Sequence, residues 1–158
     1  MLLCDHTEEG SFGLVINRVL DAELSDVLEG VDNYEGPLAL GGPVQTDTLH
    51  YLHRHVDDVS DAIPVMDGVH WGGSFDAIRE LIDSFRSSPQ TLRFFLGYAG
   101  WGVGQLEAEI EEGGWIVTRA EVDDVFAEEP TELWRNVLRR MGGDYALLAN
   151  FPEDPRMN

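Results

Sequence analysis

The sequence predicts a single mixed α/β domain of α+β character, with one mixed β-sheet flanked by helices. Three observations carry this. A chain of 158 residues lies within the usual size of one domain. Hydrophobic residues make up 43% and aromatics 9%, enough apolar material for a real core. Short apolar runs of strand type alternate along the chain with segments of helical period, and at least one hairpin lies between them.

The N-terminal residues ahead of Gly10 read as a strand, and Phe12 to Asn17 follows as a second, rich in Leu, Val and Ile behind the Gly10-Ser11 break. Leu24 to Leu28 has the spacing of two helical turns. Gly36-Pro37 punctuates the chain, and Leu38 to Leu40 leads as a brief strand into Gly41-Gly42-Pro43. Thr48 to His55 alternates loosely and reads as a strand. Pro64-Val65-Met66 and Val69-His70-Trp71 flank Asp67-Gly68, a dipeptide that suits a type I′ hairpin turn. Ser74 is a good N-cap for a helix whose Phe75, Ile78, Leu81, Ile82 and Phe85 recur on one face, with Arg79 and Asp83 paired on the other. Thr91 to Tyr98 has the dense apolar content of a central strand. The glycines at 97, 100, 102 and 104 predict a turn after it. Gln105 to Glu111 is a short helix stopped by Gly113-Gly114, and Trp115 to Thr118 reads as one more strand. A helix over Pro130 to Met141, with Leu133, Trp134, Val137, Leu138 and Met141 on one face, and a shorter one over Tyr145 to Ala149 close the chain.

Charge is the strongest compositional signal. Thirty acidic residues face ten basic ones, all of them Arg, for a formal charge of −20. Such self-repulsion opposes compaction in dilute buffer and is nearly extinguished where the Debye length falls to about 3 Å, at about 1 M salt. An acidic, Lys-free chain therefore predicts a halophilic protein of a salt-rich cytoplasm; the alternative is an ordinary acidic protein from a GC-rich genome that spells its cations as Arg. The same balance argues against nucleic acid, which requires a basic patch. Arg135, Arg139 and Arg140 do cluster, but are expected to pair with acids or to complement the end of their helix.

Cys4 is the only cysteine, so no intramolecular disulfide can form, in keeping with a reducing, cytosolic compartment. The longest apolar-rich stretch, Phe94 to Gly104, is glycine-broken and far short of the roughly 20 residues a membrane helix needs, and no membrane partner is expected. The first six residues lack the basic start of a signal peptide.

No motif fixes an activity. A P-loop is excluded by the absence of Lys. Gly72-Gly73-Ser74 only half matches a nucleophile elbow, and Ser74 is already explained as a cap. Cys4 and His6 share a strand face, so a thiolate–imidazolium pair is sterically open beside the reading of Cys4 as a small buried hydrophobe. His53, His55 and Asp57 share a strand face too, without the partners of a known metal motif; the histidines read better as surface residues, and no metal or cofactor is expected. Glu107 and Glu109 point about 200° apart on a helix and cannot serve one substrate. They read as a solvated face, with Glu109 free to brace the glycine-rich segment.

Four ordered blocks resemble those of the bacterial YqgE/AlgH family: Glu9-Gly10-Ser11-Phe12-Gly13-Leu14-Val15-Ile16-Asn17-Arg18, Leu40-Gly41-Gly42-Pro43-Val44, Phe95-Leu96-Gly97-Tyr98-Ala99-Gly100-Trp101 and Gly104-Gln105-Leu106-Glu107-Ala108-Glu109. Trp115, Trp134 and the terminal Phe151-Pro152 and Asp154-Pro155 fit the same pattern. The resemblance implies a partly barrel-like sheet flanked by helices over residues 1–158. It also implies an additional apolar segment upstream of Met1. The family is often labelled a transcriptional regulator, a name without a mechanism. The expectation is a binding or regulatory protein without demonstrated catalysis, acting on an unidentified small molecule or protein, with ligand-binding candidates Asn17, Gly42, Gly97, Tyr98, Gly100, Trp101 and Gln105. The alternative is a small hydrolytic or thiol-dependent enzyme using Cys4 and His6 or the Gly97–Trp101 segment. Tyr98 is the aromatic expected to face a ligand, and Trp101 the one expected beneath the Gln105 helix.

Overall fold

A computed structural model describes residues 1–151; Pro152 to Asn158, with the Asp154-Pro155 pair, lie outside the described residues. Seven strands form one mixed sheet: β1 (Leu2–Thr7), β2 (Gly10–Leu14), β3 (Leu38–Leu40), β4 (Val44–His53), β5 (Ile63–Met66), β6 (Val69–Trp71) and β7 (Leu92–Trp101). The order is β1-β2-β7-β4-β6-β5, with β3 alongside β7. All pairings are antiparallel except β3 with β7. The sheet curls until β1 and β5, at its two ends, touch, which makes it nearly a closed barrel.

β7 is the spine because both of its faces are buried. Leu92 and Phe94 join an outer core with Leu81, Ile82, Tyr34 and Tyr51, whereas Phe95 points into the barrel against Leu14, Ile16, Leu52 and Val125. Arg93, between Leu92 and Phe94, is buried as well and donates to the Val125 carbonyl at 3.0 Å, and a segment buried this fully suits only a central strand. Helix α1 (Phe75–Asp83) covers the outer core with Ile78, Leu81 and Ile82, and the Ser74 hydroxyl accepts the Ala77 N–H at its start. The predicted continuation to Phe85 fails: the helix ends at Ser84, and Phe85 takes φ +55 and is exposed. Nor does Arg79 pair with Asp83. It donates to the Glu29 carbonyl at 3.1 Å and stacks on Phe75.

The remaining helices are α2 (Gln105–Glu111), α3 (Val122–Val125), α4 (Leu133–Met141) and α5 (Gly143–Leu148), with 3-10 turns at Leu24–Asp26 and Pro130–Glu132. The Leu24 segment is thus one turn, not two, and α3 carries no clear periodic signal. The Asp67-Gly68 hairpin forms, but only Gly68 has a positive φ, so its turn is not type I′. β4 starts at Val44, four residues before the expected point, and bulges between Val44 and Leu49. Trp115 to Thr118 is not a strand: the segment is exposed and pairs with no neighbour.

The expected turn at Gly97 to Trp101 is instead the second half of β7. Leu38 to Leu40 run parallel to Phe94 to Leu96, and then the chain crosses over β7 at Gly41-Gly42. The Gly41 N–H donates to Leu96 O and its carbonyl accepts from Val15 N–H, both at 2.7 Å. At the crossing Gly97 adopts φ +66, with its Cα facing the Gly42 and Val44 carbonyls. Gly97 therefore marks backbone stacked on backbone within β7, opposite the bulge of β4.

Candidate functional site

A groove of about 590 Å³ runs between β1, α2, the 115–120 segment and α4. Leu2, Ile16, Leu106, Leu133 and Leu138 form its buried floor. Its rim is apolar and exposed: Met1, Leu3, Ile110, Ile116 and Val117, with Trp115 and Trp134 each 37% exposed. Size and lining are those of a small-molecule site.

One carboxylate organises the near wall. Glu109 accepts hydrogen bonds from the indole N–H of Trp115 at 2.8 Å, the Gln105 amide at 2.9 Å and the indole N–H of Trp101 at 3.0 Å. These donors, Trp115 foremost, hold its carboxyl below the usual carboxylate range. The brace expected of Glu109 is thus present, and it fixes both indoles, edge to face at 5.9 Å, along the groove. Glu107 turns away and pairs with His6 at 3.5 Å. On the far wall Arg140 grips Asp124 through two hydrogen bonds, at 2.8 and 2.6 Å, and also meets Glu121. Burial alone would raise the Asp124 carboxyl, but the Arg140 bonds outweigh it and hold it low. Arg135 pairs with Glu132, so two of the three clustered arginines are taken up by acids.

The seven candidate residues divide. Asn17 and Trp101 line the groove. Trp101 is mostly buried there, not hidden beneath α2 as expected. Gln105 supports the wall, its carbonyl accepting the Gly102 N–H and its amide donating to Glu109. Tyr98 lies off the groove, packed on Phe12 and His50 at ring centroids of 5.1 and 5.6 Å, and Gly100 accommodates its ring. Gly42 and Gly97 belong to the strand crossing. Composition and motif gave no signal for Trp115, Trp134 or the α4 face as site residues, because they meet Trp101 only through the fold.

Cys4 and His6 do not form a couple. The thiol is buried 3.7 Å from the Leu2 carbonyl, and burial pushes it up to about 12, so it is a poor thiolate. His6 bonds the Ser11 hydroxyl at 2.7 Å on the exposed side, past an irregularity in β1 between Leu3 and Asp5. Among the described residues no group of three or more His, Cys, Asp or Glu is placed to hold a metal, and no helix is long and apolar enough to cross a membrane.

The histidines are not the surface residues expected. His53 is fully buried; its Nε2 faces the Gly72 carbonyl at 2.9 Å and its Nδ1 accepts the His55 N–H at 3.2 Å, which assigns the neutral Nε2–H tautomer. Burial lowers the imidazoles of His50, His53 and His55. Below about pH 6.5 the unfolded chain therefore takes up protons that the folded protein refuses. Stability should be full above that pH and fall toward about pH 5.5, by about 1.4 kcal/mol for each unit by which an imidazole is lowered. Urea melts at both pH values check this, and a flat profile would contradict it.

Comparison with known proteins decides the family. The AlgH-like family profile matches residues 1–146. A UPF0301 protein of Chlorobium limicola is 42% identical over 158 residues, covering all of this chain and 84% of its own. The chain belongs to the AlgH-like family. Its fold is similar to that of a crystallised Corynebacterium diphtheriae protein, with TM-score 0.79 and 26% identity over 95% of this chain and 81% of that one. It is similar also to the Pseudomonas aeruginosa AlgH protein in solution, with TM-score 0.73 and 29% identity over 96% and 83%. For this AlgH-like chain the expected partly barrel-like α/β architecture holds.

Proposed function

We propose that this AlgH-like protein is a binding or regulatory protein without catalytic chemistry, and that the Trp101–Trp115–Trp134 groove is where it takes its ligand. The apolar groove of about 590 Å³ carries this reading. A tryptophan left part-exposed in a concave wall forgoes burial energy that a ligand recovers. The polar tips of Trp101 and Trp115 are already satisfied by Glu109, so their rings are held ready at little entropic cost. A buried Cys4 thiol whose one hydrogen-bond partner among the described residues is the Leu2 carbonyl, and whose pKa burial raises, supports the absence of thiol chemistry. Nucleic acid fits poorly as a partner, with a charge of −20 and Arg140 and Arg135 occupied by acids. The same reading places the protein in a reducing, salt-rich cytoplasm.

Nile red, a neutral apolar dye, tests the groove. It should bind the native protein, and Trp101→Ala, which removes a mostly buried ring and about 3 kcal/mol of stability, should weaken it about tenfold in protein still folded by its melting curve. Trp134→Ala, at a ring 37% exposed on the opposite wall, should weaken it similarly at a smaller stability cost. Unchanged dye binding in either folded variant would end the proposal.

A further inference from the structure

We infer that the groove selects an amphipathic carboxylate, such as a fatty acid of medium chain length, with its hydrocarbon along the tryptophans and its head group on Arg119; this rests on the groove being a binding site. Only two ionised side chains line the groove, Arg119 and Asp124. Asp124 is spent: Arg140 holds both of its oxygens, and one also accepts the Glu121 N–H at 2.8 Å. Arg119 is exposed and, among the described residues, makes no ion pair or side-chain hydrogen bond, in a chain with three carboxylates for every arginine. An unpaired guanidinium beside an otherwise apolar wall is a fork suited to a carboxylate head. The indole N–H groups of Trp101 and Trp115 point to Glu109, so the near wall offers hydrocarbon contact and no competing donor from those rings.

The overall field makes this selectivity diagnostic. A protein of charge −20 attracts cations at long range, so a preference for an anion can come only from a local cation. Decanoate, 1-decanol and decyltrimethylammonium share one apolar tail and differ in head charge. Titrated into the whole chain at neutral pH in about 1 M KCl, where the field is screened, each is read by tryptophan fluorescence and calorimetry. Decanoate should bind about tenfold tighter than decanol, the worth of one charge-assisted contact. Arg119→Gln, folded by its melting temperature, should abolish that advantage and leave decanol unchanged. Equal affinities for decanoate and decanol, or a decanoate advantage that survives Arg119→Gln, would overturn the carboxylate inference while leaving the groove a binding site. Preference for decyltrimethylammonium would overturn it likewise. If none of the three binds, or if the chain self-associates through the groove and excludes them, the inference and the proposed function fail together.

Discussion

Gly42→Ala should cost about 4 kcal/mol or more, a large share of the whole stability of a domain of this size. A methyl at Gly42 would overlap the Tyr98 carbonyl and the Ala99 nitrogen, and backbone atoms cannot rotate aside as a side chain can. Relief would require moving β7, which pairs with β2, β3 and β4 at once. Gly97 meets the same crossing from the other side, and there a Cβ would stand 2.7 Å from the Gly42 carbonyl and 2.8 Å from that of Val44, in a backbone of φ +66. Gly104 is the internal control. Its φ is +70, but nothing lies within 4 Å of its Cβ position, so Gly104→Ala should cost only about 1–2 kcal/mol of backbone strain. Urea unfolding of the two variants separates close approach from conformational preference. If Gly42→Ala lost less than Gly104→Ala, the crossing would not be what requires glycine.

That comparison also shows what could be read from sequence. Elements with a strong local pattern were legible: α1 through Ser74 and its apolar face, α2 through the Gly113-Gly114 stop, the β5–β6 hairpin, and β7 through its dense aromatic and aliphatic content. The glycines of residues 97–104 were legible as special but were assigned to a turn, because glycine density signals positive φ and close approach equally. Trp115 to Thr118 has strand composition but pairs with no strand, and the segment lines the groove instead. Phe85 keeps the helical spacing, but Ser84 ends the helix before the chain can bring it inward. Within the site, Asn17, Trp101, Gln105 and the bracing role of Glu109 were visible as residues. The groove itself was not, since its walls come from segments as distant in sequence as Leu2, Trp115 and Leu138, and no local period encodes their meeting.

Stability should rise by about 3 kcal/mol or more between dilute buffer and about 1 M KCl, which for a chain of this size moves the melting temperature up by about 6–12 °C. Two like charges about 10 Å apart in water repel by about 0.4 kcal/mol, and an excess of twenty carboxylates on one small domain makes many such pairs. The unfolded chain spreads the same charges farther apart, so the repulsion acts against folding. At about 0.1 M salt the Debye length of about 10 Å leaves most near neighbours interacting, and at about 1 M its value of about 3 Å does not. Screening also weakens the ion pairs, but those are few among the described residues, and the Arg140–Asp124 contact is partly buried and so loses less. Repulsion therefore dominates the balance. The shape of the response distinguishes it from exclusion of salt from apolar surface, which strengthens steadily with concentration and is strongest for sulfate. Screening acts mostly below about 0.5 M and should be alike for chloride and sulfate at equal ionic strength. A melting temperature that is flat in KCl, or that rises only with sulfate, would remove the case for a salt-adapted chain.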